Sequence, residues 1–190
     1  MKIVIISGPT ATGKTATAIS VAKVCGAEII NADSMQVYRY LDIGTAKPTR
    51  EERQQVPHHL LDIVDPDELY NAGRFEADAD ACITDLCSRR KLPIIVGGTG
   101  LYLKSLLYGL CDLPEIPPAV RQQVQAELAG QGVEHLYKHL QKVDPLVAGR
   151  LAPRDQSRIA RALEVYLSTG RSINYFQNRH RFNQPKYSFL

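Results

Sequence analysis

The sequence predicts an α/β fold, a parallel sheet flanked by helices, followed by a mostly helical second region. Three observations carry this. Short β-branched runs alternate with amphipathic segments as far as Leu113, the pattern of strands joined by helical crossovers. The first run leads into a glycine-bounded loop that opens a helical segment. After Leu113 the texture changes: Pro114, Pro117 and Pro118 cluster, and no convincing strand follows before about Asn178.

Lys2–Ser7 (KIVIIS) suits a strand buried on both faces. Residues 14–24 keep helical spacing, 27–31 (AEIIN) form a second strand candidate, 59–64 (HLLDIV) a weaker third, and 93–96 (PIIV) a strong fourth. Residues 75–90 read as an amphipathic helix with Phe75, Ala79, Cys82, Ile83 and Leu86 on one side. Gly97-Gly98-Thr99-Gly100 then breaks into a helix over 101–108. Further helices are predicted at 119–129, 133–141, 145–152 and 156–168, the last capped by Asp155 and ended by Gly170. Residues 186–190 (KYSFL) look like the opening of another strand. A sheet averages about five or six strands, so the natural protein is expected to continue beyond Leu190. The division expected is 1–115 as an α/β core, 116–185 as a helical region and 186–190 as a strand returning to the core.

With 44% hydrophobic and 23% charged residues, the composition is that of a globular protein, not a disordered or collagen-like chain. The longest apolar runs are too short to span a bilayer, and no charged-then-apolar leader opens the chain. A cytoplasmic monomer is expected. The cysteines (Cys25, Cys82, Cys87, Cys111) form no CxxC pair and are expected to be reduced and mostly buried. The net charge of +3 hides a split. Residues 1–115 carry 12 Lys and Arg against 15 Asp and Glu, a balance of −3, while residues 116–190 carry 11 against 5, a balance of +6. Such asymmetry fits a polyanion held by the second half, or merely a solvated basic helical surface.

Gly8-Pro9-Thr10-Ala11-Thr12-Gly13-Lys14-Thr15 matches GxxxxGK[ST] between a predicted strand and a predicted helix. Glycines permit the tight turns, and successive N–H groups with the helix N-terminus converge on one anion. Lys14 adds a mobile positive charge, and the Thr15 hydroxyl can ligate Mg²⁺. The fold is therefore read as P-loop NTPase-like, although the loop alone names neither the phosphate compound nor the reaction. Asp33 follows the second strand (Ile29-Ile30-Asn31-Ala32-Asp33). Parallel sheets gather ligands at the carboxyl ends of their strands, so Asp33 should face the loop, as a magnesium-linked group or a general base. The competing role is a helix N-cap.

Further blocks follow in order: Asp33-Ser34-Met35-Gln36-Val37-Tyr38, Asp42-Ile43-Gly44-Thr45-Ala46-Lys47-Pro48, His58-His59-Leu60-Leu61-Asp62, Gly97-Gly98-Thr99-Gly100-Leu101-Tyr102 and Arg158-Ile159-Ala160-Arg161-Ala162-Leu163-Glu164. Together they closely resemble the tRNA dimethylallyltransferase family, from about Ile3 to the end of the chain. The resemblance implies transfer of a dimethylallyl group from dimethylallyl diphosphate to N6 of the adenine at position 37 of tRNA, beside the anticodon, with release of diphosphate. It implies that the phosphate loop grips the donor's diphosphate; there is no DDxxD run to do so. It makes Asp33 the general base, with Lys14 and Thr15 stabilising the leaving group. Asp33, Ser34, Met35, Gln36, Thr99, Arg121, Ser157, Arg158, Ile159, Ala160 and Arg161 become the contacts to the tRNA anticodon loop. Gln36 is suited to reading base edges, and Arg154, Arg158 and Arg161 would share one helical face along RNA phosphates. The family normally runs roughly a hundred residues longer.

Three other readings compete: a P-loop small-molecule kinase, a prenyltransferase acting on free adenine nucleotides, and a non-catalytic RNA-binding module. His58-His59 is not expected to bind metal, because adjacent histidines share no face and no third ligand stands at a suitable spacing. Lys47 supports either substrate or its own turn. Tyr38, Tyr40, Tyr102 and Tyr108 are expected to be core or pocket wall.

Overall fold

A computed structural model describes residues 1–180 and 184–190. The strands are β1 (Lys2–Ser7), β2 (Glu28–Asn31), β3 (His58–His59), β4 (Pro93–Gly97) and β5 (Ser188–Phe189), and the helices are α1 (Lys14–Cys25), α2 (Arg50–Gln55), α3 (Ala72–Ser88), α4 (Gly100–Tyr108), α5 (Pro118–Val143), α6 (Pro145–Ala148), α7 (Gln156–Thr169) and α8 (Ile173–His180). The described residues fall into two compact units. One holds Met1–Leu110 and the chain's last strand; the other begins at Cys111, not 116, and includes the last helix. No helix among the described residues is long and apolar enough to cross a membrane.

In the α/β unit five parallel strands run in the order β3-β2-β4-β1-β5. The P-loop NTPase-like sheet is flanked on both faces. Ile3 and Ile5 of β1 pack with Phe75, Ile83 and Leu86 of α3, while Val4 and Ile6 pack with Ala18 and Ile19 of α1. Strands β2 and β4 are buried at every position. Strand β1 is buried at Ile3, half-buried at Val4, Ile5 and Ile6 and exposed at Lys2 and Ser7, less covered than its sequence suggests. Register aligns Ser7 with Gly97 and Asn31 with Val96, so the loops after β1, β2 and β4 leave the sheet side by side.

Several elements differ from the sequence reading. Strand β3 stops at His59 because Leu60 and Asp62 adopt left-handed φ of +60° and +55°, which breaks an extended run. Helix α2 has a complete capping box, Thr49 with Glu52, and a 3-10 turn spans Ile43–Thr45; neither was expected. The cysteines are not mostly buried: Cys25 is exposed and the other three are half-buried. Tyr40 is 80% exposed and walls no core.

In the helical unit, the two helices predicted from 119 to 141 merge into α5, broken only at Gly132, whose φ is +80°. Helix α6 ends at Ala148 and α8 is an addition. Val124, Leu136 and Leu140 of α5 close on Val147 of α6 and on Ile159 and Leu163 of α7. Asp155 caps α7 by accepting from Arg158 N, and Gly170, at φ +65°, ends it.

Candidate functional site: a phosphate-loop cavity

The loop after β1 folds back on itself. Thr12 Oγ1 and Lys14 Nζ both donate to the Pro9 carbonyl, at 2.8 and 2.6 Å. Gly13 stands before α1 at φ +79° with no side-chain cap, so the first N–H groups of α1 remain available to an anion. Ala11 holds φ +66°, a conformation that costs a non-glycine residue about 1–3 kcal/mol and persists where surrounding structure enforces it. Gly98 closes on this loop: a Cβ there would sit 3.2 Å from the Gly8 carbonyl oxygen.

The loop after β2 is built by Asn31. Its buried amide donates to the carbonyls of Asp33 and Leu60, at 3.2 and 3.1 Å, while its oxygen accepts from Asp33 N at 3.2 Å. Asp33 Oδ1 accepts from Met35 N at 2.9 Å, a turn-capping bond of the kind that competed with its catalytic reading. Its second oxygen has no hydrogen bond among the described residues. Thr99 ties this loop to the one after β4, accepting from Ser34 N at 2.9 Å and donating to Ser34 Oγ at 3.2 Å.

Residues 10–16, Asn31, Asp33, Gln36, Thr45, Ala46 and Glu52 line one cavity of about 260 Å³. A cavity of about 150 Å³ already admits a benzene ring, so a five-carbon unit fits. Asp33 thus shares a cavity with Lys14 and Thr15. Gly8 and Pro9 shape the loop without lining the cavity. Asn31 and Glu52 are functional candidates that sequence reasoning missed. Asn31 ends a buried apolar strand with a polar side chain, a readable signal, and Glu52 was visible only as half of a capping box.

Other assignments change. The amide of Gln36 donates to the carbonyls of Thr45 and Ala46, at 2.9 and 3.2 Å, so its donor end braces the cavity wall and is not offered to a base. Lys47 has a wholly buried side chain and donates to Tyr38 O, Asp42 Oδ1 and Asp62 Oδ1, at 2.7, 2.8 and 2.6 Å; it staples its own loop. Met35 is exposed. In the helical unit Arg121 is exposed in the first turn of α5. Ser157, Arg158 and Arg161 present accessible side chains, but Ile159 and Ala160 are 0% and 5% exposed in the core beneath. They are core residues rather than contacts, because the helical period turns them inward. Arg154 precedes α7 and lies off its helical face.

The sequence model described as IPP transferase matches residues 36–190. A tRNA dimethylallyltransferase of Geobacter sulfurreducens is 49% identical over 189 residues, all of this chain and 61% of its own length. One of Syntrophobacter fumaroxidans is 49% identical over 190 residues, covering 56% of its length. The chain therefore spans about 60% of the curated relatives it matches. Among solved structures, a eukaryotic dimethylallyltransferase acting on tRNA superposes over the whole chain and 47% of its own, with a TM-score of 0.82 at 34% identity. A full-length tRNA isopentenylpyrophosphate transferase of Bacillus halodurans matches 90% of this chain and 57% of its own, with a TM-score of 0.58 at 44% identity. With motifs, fold and relatives in agreement, the chain belongs to the IPP transferase family.

Proposed function

We propose that this chain carries the donor cradle and the acceptor base of a tRNA dimethylallyltransferase. The observation that carries the reading is the shared cavity: the phosphate loop, Lys14, Thr15 and Asp33 all line one space large enough for a C5 unit. The names of the relatives favour a tRNA acceptor over the kinase and free-nucleotide readings.

In this reading the donor's diphosphate lies on the loop N–H groups and Lys14. As the allylic C–O bond breaks, negative charge grows on the leaving diphosphate, where those donors are already oriented. The adenine N6 forms the new C–N bond, and its proton passes to Asp33. That amine is a weak nucleophile because its lone pair is conjugated with the ring, so a carboxylate that orients it and removes its proton speeds the step by about 10²–10⁴. Magnesium suits the oxygen donors present: Thr15 lines the cavity, its hydroxyl bonds to no described residue, and the donor's phosphates supply the further hard ligands that Mg²⁺ takes. When bound, the ion would neutralise part of the leaving group's charge.

The test uses the full-length chain, labelled dimethylallyl diphosphate and unmodified tRNA. Asp33→Asn is expected to lower turnover by about 10²–10⁴ while tRNA affinity stays near that of the unaltered protein. Undiminished turnover would remove the base role.

A further inference from the structure

A second, much smaller cavity of about 20 Å³ lies in the α/β unit, with Thr15, Asn31, Gln36 and His58 in its wall. The first three also line the large cavity, so the two share a partition. His58 Nδ1 lies 2.7 Å from the Val56 carbonyl. A carbonyl only accepts, so Nδ1 carries the proton, and in the neutral ring Nε2 is left as an acceptor. Burial holds the imidazole pKa below its ordinary value, which favours the neutral ring. Nε2 itself is buried and bonded by no described residue.

A buried acceptor left without a donor costs about 1–3 kcal/mol, and the wall offers few donors. Both amide hydrogens of Asn31 go to Asp33 and Leu60 carbonyls. Both of Gln36 go to Thr45 and Ala46 carbonyls. The rest of the wall, Ala18, Ile29, Pro48, Leu61 and Val96, has no polar side chain. The Thr15 hydroxyl is the side-chain donor that remains. One water needs about 10–15 Å³ and two to four polar partners, and this cavity supplies both.

We propose that one water molecule occupies this cavity, accepting from Thr15 Oγ1 and donating to His58 Nε2 and Gln36 Oε1, and that through it His58 acts as a positioning residue for the phosphate-loop threonine. With its hydrogen drawn inward, the Thr15 oxygen turns its lone pairs to the large cavity, where a magnesium ion on the diphosphate would take one. The inference rests on the role given to Thr15 above, but its tests need no tRNA. Absence of prenyl transfer would overturn that earlier reading and leave these results standing.

A high-resolution crystal structure of the full-length chain is expected to show an ordered water within about 3.2 Å of both His58 Nε2 and Thr15 Oγ1. A dry cavity, or Nε2 bonded to a protein group, overturns the proposal. Binding of inorganic diphosphate, followed by calorimetry across a magnesium titration, tests the coupling. His58→Phe is expected to raise the half-saturating magnesium about 10-fold, the scale for losing an outer-shell partner. Thr15→Val should raise it at least as much, and the double variant no further, because His58 acts through Thr15. Independent effects in the double variant, or an unchanged requirement in His58→Phe, overturn it. Should His58→Phe not fold, His58→Gln, whose amide oxygen offers the water an acceptor, is expected to stay near the unaltered requirement. An increase as large as that of Thr15→Val would then count against the proposal.

Discussion

The two units reach compactness by different means. All six non-glycine residues with left-handed φ among the described residues, from Ala11 to Arg90, belong to the α/β unit. So do the buried Glu28, Asn31 and Lys47. The helical unit has no such backbone outlier among its described residues. Its two buried carboxylates serve locally: Asp144 caps α6, and Glu164 pairs with Arg161 one turn away. Strained backbone and buried polar groups each cost free energy; Ala11, Ala46, Leu60 and Asp62 lie in the loops after β1, β2 and β3, with Asn31 at the end of β2, while Glu28 and Arg90 lie toward the opposite ends of β2 and β4. Where only helices pack, caps and apolar contacts predominate, with Asp144 Oδ2 buried and bonded by no described residue. Local strain therefore marks the unit that holds the phosphate-loop cavity.

The same substitution should separate the units by sign. Gly97 ends β4, and a Cβ there would lie 2.2 Å from the Ala32 carbonyl carbon and oxygen. Ala32 cannot retreat easily, since its N–H donates to Val96 at 2.7 Å and its carbonyl accepts from Thr99 at 3.3 Å. Gly97→Ala is expected to destabilise by at least about 3 kcal/mol. Gly130, inside α5, has nothing within 4 Å of its Cβ position, and Gly130→Ala should stabilise by about 0.5–1 kcal/mol. Urea midpoints measure both. A Gly97→Ala variant of unaltered stability would show that the strand-end loops yield, and the contrast between units would lose its basis.

A smaller effect comes from the amino-terminal end of β2. The Arg89 guanidinium, bonded to Glu28 at 2.8 Å with His59 beside it, holds the buried Glu28 carboxyl down at about 2. A carboxyl depressed in the folded state stabilises above its unfolded value near 4.5, and that contribution is lost as pH falls toward 2. Glu28→Gln should therefore flatten the stability profile between pH 5 and 2, by about 2 kcal/mol after allowing for the half-exposed Arg89. Urea unfolding at several pH values provides the check. An equally steep profile in the variant would place the acid sensitivity elsewhere, in groups such as Asp62 with its Lys47 and Arg53 partners.

The comparison also explains what was legible in the sequence. Strands β1 and β4 and helices α1, α3 and α7 announce themselves through local pattern, because their side-chain period matches the core they face. The loop after β1 is legible because its glycines and Lys14-Thr15 stand at the fixed spacing GxxxxGK[ST]. The loops after β2 and β3 are not. Strand β3 ends on left-handed Leu60, Lys47 turns inward to meet Asp62, and Gln36 braces Thr45 and Ala46. Each has a partner 9 or more residues away, Leu60 through its carbonyl to Asn31, which no local window contains. In the helical unit the family resemblance treats Ser157 to Arg161 as one block, whereas the helix divides it into inward and outward positions.

That division yields the smallest effect and the sharpest test of the helical unit's role. Arg158 Nη1 lies 3.0 Å from Asp155 Oδ2, yet its side chain is 75% exposed. An exposed pair of this kind contributes about 0.2–1 kcal/mol at most. Asp155 does more, because its other oxygen accepts from Arg158 N and caps α7; losing a cap costs about 1 kcal/mol. Arg158→Ala is therefore expected to shift stability by no more than about 0.5 kcal/mol, less than Asp155→Ala. If the basic face serves a polyanion, Arg158→Ala should nonetheless weaken tRNA binding and lower the salt slope by about one. Ile159→Ala would do the reverse, costing about 2–5 kcal/mol of stability from a fully buried site with no change in that slope. Filter binding over a salt series, set beside urea midpoints, separates the two. Should Arg158→Ala cost stability and leave the slope untouched, α7 would be a purely structural helix, and the surplus charge of the second half would need another face to act on.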